Sequence, residues 1–401
     1  MQLKLKGYFK EDNSPITEAV KAVEMLEANS VGRPHVLGYT PVGRTNPYQA
    51  LLYRAAEDYN IATVPVVKSW DFHKLFKMPS AESSTVILHI HWTSFILQGI
   101  TSYATAKKKI QDFRAAVSDI KSKGGKIIWT LHNIIPHDSR YPDLEMQIQQ
   151  YLAEEADVLH VLSDASAEMM SAALTIDKNK LVNVPHPNYR LTYEDYVTRS
   201  NARLEFGIGP NDRVYVLLGA LKAYKGLDRL LKAFEEFSSQ DPDTRRVLLV
   251  GGMADESPEV ADFVKKCLKH PNVLIEPKKV PNHLVQNYMR AADVGLAPYT
   301  RMLNSGAVLL YQSFDLPVIA SDVPAIWENM SDEIGERVAD NSIESLVTAF
   351  AKADRFFEND VRSKVRIYAD QFDATELSRE FSRRVLWKLD SNATKSSSRN
   401  P

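Results

Sequence analysis

Residues 291–321 read AADVGLAPYTRMLNSGAVLLYQSFDLPVIAS, and this stretch decides the fold. Residues 293–297 (DVGLA) form a short apolar run that predicts a buried strand, closed by Pro298 and Tyr299. From Gly306 the apolar segment is long enough for a helix, and Pro317 then opens a second short run, Val318-Ile319-Ala320. Strand, helix and strand in this order make the repeating unit of a parallel sheet covered on both faces. Ligands of such sheets bind beyond the carboxyl ends of the strands, which puts Tyr299 and the turn Asn304-Ser305-Gly306 on the ligand edge. Nothing within the helix can do acid, base or metal chemistry. At its mouth, backbone N–H groups lack intrahelical partners and the helix dipole adds positive charge, so an anion seat is expected there.

The same rhythm runs outward in both directions. HVLGYT (35–40), ATVPVV (62–67), TVILHIHW (85–92), KIIWTLHN (126–133), DVLHVLS (157–163) and LVNVPHP (181–187) alternate with amphipathic segments. After a polar, irregular stretch at 190–202 the pattern restarts with RVYVLLGAL (213–221), RRVLLVGG (245–252) and NVLIEP (272–277). At 401 residues the chain suits two α/β domains, each a doubly wound, Rossmann-like sheet, the two facing a cleft. The expected limits are 1–195 and 203–372 with a linker between. A helix over 373–389 is expected to pack back on the first domain, and the polar tail 390–401 to be disordered.

Composition narrows the function. The net charge of −2 gives no argument for a nucleic-acid partner. The single cysteine, Cys267, suits a reducing compartment. MQLKLKGYFKED has no apolar signal region, and no run approaches the ~20 residues that cross a bilayer. A cytoplasmic protein is expected, free or at the inner face of the plasma membrane. Lys107, Lys108, Lys109, Arg114, Lys121 and Lys123 lie on a helix whose apolar residues keep helical spacing. The ordinary reading is a solvated helix face; the alternative is contact with anionic lipid.

A second loop joins the anion seat. GALKAYKG (219–226) follows a strand and opens a helix, so Gly219 lets the backbone approach a phosphate while Lys222 and Lys225 add charge. With both loops on one edge, the expected ligand carries phosphate. Together these segments resemble the donor domain of GT-B glycosyltransferases of family 4. HIHW, IIWTLHNIIPHD and EEADVLHVLSDAS in the first half are similar to that group too, closest to bacterial exopolysaccharide and glycolipid enzymes. The resemblance implies a metal-independent transferase with no cofactor beyond its substrate, a UDP- or GDP-linked sugar. The implied acceptor is a glycan or lipid-linked saccharide, in polysaccharide or glycolipid synthesis. It also implies a contact from His132 to the donor sugar or its phosphate. The chain departs from the family where two glutamates are usual, with Leu303 and Tyr311 instead, and where Ala220 replaces an arginine. Glu276 and Glu328 are the candidate replacements for the ribose-binding carboxylate.

On the acceptor side, TLHNIIPHDSR (130–140) follows a strand and offers His132, His137 and Asp138. An inverting transfer needs a base for the acceptor hydroxyl, and Asp138 or His132 would serve; a retaining one could use the leaving phosphate. His91, Trp92, Asn46 and His137 are expected to line the acceptor, whereas His89 reads equally well as a core histidine. His132 and His137 lack the spacing of a helical zinc pair, and no metal is expected. Asp241-Pro242-Asp243 looks like a metal-binding DxD but falls at the edge opposite the ligand edge, where a turn is expected. Rival readings are a sugar-nucleotide epimerase on the same fold and a non-catalytic binding subunit. A dinucleotide dehydrogenase lacks its G-x-G-x-x-G.

Overall fold

The computed structural model describes residues 15–28, 34–43, 46–67, 70–79, 81–133, 139–190, 192–300, 303–358 and 360–397. Twelve strands lie among them: β1 His35–Thr40, β2 Ile61–Pro65, β3 Thr85–Ile90, β4 Lys126–Thr130, β5 Val158–Val161, β6 Leu181–Asn183, β7 Arg213–Leu218, β8 Arg246–Gly251, β9 Val273–Glu276, β10 Val294–Ala297, β11 Val318–Ser321 and β12 Gly335–Val338. They form two six-stranded sheets, ordered β2-β1-β3-β4-β5-β6 and β12-β11-β10-β7-β8-β9. Every pairing is parallel. β1, β3 and β7 are buried over all but their first residue and β8 throughout, as strands with helices on both faces must be.

Two compact units result. One takes the described residues up to Pro187 together with those from Ala374 onward; the other runs from Asn188 to Asp373. The helix Ala374–Ser397 docks on the first unit: Ser378 Oγ accepts from Ala55 N at 2.9 Å and donates to Leu52 O at 2.7 Å, and Arg384 reaches Asn183 O at 2.7 Å.

Three expectations need correction. Residues 188–202 are not a free linker, and the first unit ends at Pro187 rather than at 195. They pack on the second unit because their polar groups find partners there. Asn188 Nδ2 donates to Ala369 O (2.7 Å), Tyr189 N to Ser313 Oγ (2.8 Å), Arg190 to Asp315 (3.0 Å), and Tyr196 N to Gln286 Oε1 (2.9 Å). The tail from 390 is not disordered as far as Ser397, since the last helix continues through it. Elongation costs little once a helix is nucleated. Finally, β12 was not anticipated: GERV is an edge strand with one charged pair, Glu336-Arg337, and so lacks the apolar run of a central strand.

Among the described residues no helix is long and apolar enough to cross a membrane. The helix Tyr103–Ser122 buries Ala106, Ile110, Phe113, Val117 and Ile120 and leaves Lys107 and Lys108 exposed.

Candidate functional site

In the second unit the two glycine-bearing loops meet at the carboxyl ends of β7 and β10. Gly219 has φ +116°, and Gly252, at the end of β8, has φ +150°; a Cβ on Gly252 would lie 2.1 Å from Gly219 O. Only glycine lets these two strand ends pass so closely. Thr300 ties the loops together, donating from N and from Oγ1 to Tyr224 O, each at 2.8 Å. Arg229 reinforces the tie through the carbonyl of Pro298 and that of Asp340 (3.0 Å).

Lys225 is folded into this junction. It is 4% exposed, its Nζ stands 5.0 Å from the Tyr299 ring centre, and that Nζ lies 3.3 Å from where a Cβ on Gly219 would be. Burial pulls its pKa down to about 8, with Lys222 adding to the fall. Among the described residues, the charges acting on it include no carboxylate. A buried ammonium without a counter-charge is costly, and an incoming anion removes the cost.

The helix Gly306–Ser313 begins at Gly306, with Ser305 as its N-cap and no side-chain cap bond. Asn304 stands outside it. Ser305 Oγ is buried without a hydrogen-bond partner among the described residues, as is Tyr299 Oη. The serine hydroxyl is near enough to offset part of the upward push that burial gives the Tyr299 phenol, yet does not reach hydrogen-bond geometry. Gly219, Lys225, Tyr299 and Ser305 are therefore brought together; Lys222 sits half-buried beside them.

Tyr311 cannot do a carboxylate's work. Its hydroxyl accepts from Leu218 N (3.0 Å) and donates to Leu296 O (3.2 Å), joining β7 to β10, and its ring packs where a Cβ on Gly295 would lie 2.4 Å away. Tyr311→Phe is expected to cost about 1–3 kcal/mol by stranding the buried Leu218 N–H, read as a fall in denaturation midpoint. Glu276 is exposed at the end of β9, and Glu328 caps the short helix Pro324–Trp327. Asp241 lies in the turn before β8, bonded through its carbonyl to Arg246 at 2.9 Å.

In the first unit, the ends of four strands gather five histidines. His89 and His91 stack with ring centres 4.1 Å apart. Tyr53 Oη sits between His89 Nδ1 and His91 Nε2, 2.7 Å from each. His89 Nε2 is 2.7 Å from Thr130 Oγ1, which is 2.9 Å from His160 Nδ1, and His160 Nε2 is 3.0 Å from Val184 O. His91 Nδ1 is 3.4 Å from His132 Nε2. His132 stacks on Trp92 (4.7 Å) and meets the edge of Tyr48 (5.0 Å), which also touches His186 (4.7 Å). Burial pushes all five imidazoles below the ordinary histidine range, the other histidines adding for four of them; His160 and His186 fall to about 4.

His91, Trp92, Thr93, His132 and Gln149 line a small cavity at this strand edge. Beneath Thr93 lies Glu145, 3% exposed and with Oε2 unpartnered among the described residues, whose carboxyl burial raises to about 7. Asn46 lies in the turn before the helix Tyr48–Leu52, whose N-cap is Pro47, and its Oδ1 accepts from Tyr48 N at 3.0 Å. His137 and Asp138 lie outside the described residues. Among those described, no group of three or more His, Cys, Asp or Glu side chains could hold a metal ion. Tyr53, Thr130, His160 and Glu145 escaped the sequence reading because each fits an ordinary helix or strand pattern. Histidine in a buried strand, as in VLHV, was the one available signal.

Residues 212–353 match the family described as "Glycosyl transferases group 1". The GDP-mannose:glycolipid 4-beta-D-mannosyltransferase of Xanthomonas campestris is 24% identical over 331 residues, covering 81% of this chain and 80% of its own. The fold matches Anabaena HepE, solved with UDP and glucose, at a TM-score of 0.66 with 13% identity, over 88% of this chain and 99% of that one. The chain carries a group 1 glycosyltransferase domain on a GT-B fold. Its fold also matches WaaG, a glycosyltransferase of lipopolysaccharide biosynthesis, at a TM-score of 0.58 with 17% identity, over 86% and 98% of the two chains. The group 1 match spans the sheet that carries the transferase's Lys225 junction, whereas the histidine cluster lies outside it.

Proposed function

We propose that this transferase moves a sugar from a UDP- or GDP-linked donor to a hydroxyl of a glycan or lipid-linked saccharide, in polysaccharide or glycolipid synthesis. The observation that carries the reading is Lys225, a buried ammonium without a counter-charge among the described residues, beside the open mouth of the helix Gly306–Ser313. A donor diphosphate supplies the missing negative charge, with Gly219 giving backbone access, Lys222 a second cation, and Asn304, Ser305 and Gly306 the helix-mouth donors. The glycolipid acceptor in the name of the Xanthomonas relative supports the acceptor class. Such an acceptor places the enzyme at the cytoplasmic face of the plasma membrane, with the lysines of the helix Tyr103–Ser122 available to lipid phosphate. The nucleotide sugar is a substrate, and no further cofactor is invoked.

On the first unit, His91, Trp92 and His132 line the acceptor subsite, and Asn46 holds the turn that leads to Tyr48. His132 takes the proton of the acceptor hydroxyl as that oxygen bonds to the anomeric carbon. The bond from the anomeric carbon to the donor phosphate oxygen breaks, and its electron pair leaves with the nucleoside diphosphate. Electrostatic stabilisation of that diphosphate by Lys225 and the helix mouth is the main catalytic term.

Isothermal titration with UDP- and GDP-sugars tests the reading. One nucleotide series is expected to bind, and Lys225→Ala to weaken it by about 10–100-fold, the worth of a charge-assisted hydrogen bond. Stability should move the other way. The lysine's pKa falls from 10.5 to about 8 on folding, so the unfolded chain holds more protons between those values and stability rises with pH across that window. Lys225→Met is therefore expected to stabilise the free enzyme at neutral pH, by at most about 3 kcal/mol. Absence of binding by every nucleotide sugar in the panel defeats the proposal.

A further inference from the structure

The proton positions in the histidine cluster follow from one backbone atom. A carbonyl only accepts, so His160 must donate from Nε2 to Val184 O. With the ring neutral, His160 Nδ1 is bare and takes the proton of Thr130 Oγ1. That is the threonine's one proton, so Oγ1 accepts from His89 Nε2. His89 Nδ1 is then bare and takes the Tyr53 phenol proton, leaving Oη to accept from His91 Nε2. His91 Nδ1, bare in turn, accepts from His132 Nε2. Each step follows because a neutral imidazole has one donor nitrogen and one acceptor, and a hydroxyl has a single proton to give.

We propose that the Val184 carbonyl, acting through His160, Thr130, His89, Tyr53 and His91, holds His132 as its Nε2-protonated tautomer and so makes Nδ1 its basic nitrogen. These five side chains are positioning residues. They touch one another, and the proton they direct is the one on His132. The inference rests on His132 being the acceptor-side base in the proposed transfer.

The surroundings keep the chain neutral. Phe381 of the last helix stacks on His89 with centres 5.5 Å apart and meets His160 edge-on at 4.9 Å. The charges that act on His132 come from other histidines, His91, His160 and His186, so a proton added to any ring opposes one on the next. A buried polar network is stable when each member is satisfied, and here one direction of donation satisfies them all. The link to His132 is the longest, at 3.4 Å, and joins the two members that line the cavity, His91 and His132. His186 provides an internal contrast: its Nδ1 is 2.7 Å from Pro187 O, so it must donate from Nδ1.

The test is a long-range proton–nitrogen correlation spectrum of the full chain, labelled with nitrogen-15 histidine, at pH 7.5. Bare and protonated ring nitrogens separate widely in such spectra. Expected is Nε2 protonation with bare Nδ1 at His89, His91, His132 and His160, and the reverse at His186. A protonated Nδ1 on His132 overturns the inference. Tyr53→Phe removes one oxygen and cuts the chain in its middle. His160 should keep its tautomer, while His91 and His132 become mixtures and kcat falls about tenfold with acceptor KM unchanged. A His132 still wholly Nε2-protonated in that variant also overturns it. If Tyr53→Phe does not fold, the spectrum of the unaltered chain decides. The spectrum uses no substrate, so failure to find transfer would count against the proposed function and not against the tautomer.

Discussion

His132→Ala is expected to lower kcat by about 10²–10⁴-fold, the usual contribution of a positioned general base, while donor affinity stays as it was. The reason is placement. His132 stands at the end of β4 in the first unit, stacked on Trp92 and bonded to His91, and the Lys225 junction belongs to the second unit. A base acts on the acceptor proton, so its loss is felt in the chemical step. The family resemblance implies a different role, contact with the donor sugar or phosphate, and the two separate cleanly. A donor contact would raise the donor Kd and spare kcat. Steady-state kinetics with titration of the donor therefore assign the residue. The pH profile adds a second reading: burial holds His132 well below the ordinary histidine range, so the acid limb of kcat/KM should lie below pH 6.5 in the parent enzyme and vanish in His132→Ala. Donor affinity lost with kcat kept would end the role as base.

The second large effect is acid sensitivity of the first unit. His160 and His186 drop from 6.5 to about 4 on folding, and His89, His91 and His132 fall in the same direction. A depressed histidine pKa favours the neutral folded form. The unfolded chain takes up protons first, so stability is full above about pH 6.5 and declines as pH falls toward 4. For His160 and His186 the loss is about 2 kcal/mol each by pH 5 and about 3 each by pH 4. Glu145 opposes them. Its raised pKa, about 7 against 4.5, adds about 2 kcal/mol as pH falls from 7 to 5, roughly one histidine's worth. With five histidines against one carboxyl, urea denaturation followed by Trp129 and Trp92 fluorescence should show a much lower midpoint at pH 5 than at pH 7.5. An unchanged midpoint would mean that the histidines are charged or hydrated in the folded state.

Both effects concern residues whose surroundings were only partly legible. The strands were, because a strand buried on both faces needs a continuous apolar run, and VILHI, KIIWT and VLLVG carry that demand in their own composition. The edge strand GERV carries no such demand and went unread. The ligand edge was legible through topology, since the carboxyl ends of parallel strands gather the loops that held Gly219, Lys225 and Tyr299. What Lys225 does there was not. A lysine before a glycine reads as a solvated loop charge, and only the approach of the Tyr299 ring and the Gly219 backbone shows it buried.

From sequence alone came two successive parallel α/β units, their ligand edges and the seat for an anion, because hydrophobic period and turn chemistry are local and survive in one dimension. Tertiary structure alone decided that residues 188–202 belong to the second unit and that Tyr311 is a tie between strands. It also decided that Tyr53, His89, Thr130, His160 and Val184 form one chain of hydrogen bonds. Thr130 and His160 are register partners of β4 and β5, whereas His89 is set opposite Ile128 in β4 and reaches Thr130 two residues further on. Register depends on how whole elements pack, so hydrogen-bond partners 24 to 41 residues apart leave no periodic mark on the chain that carries them.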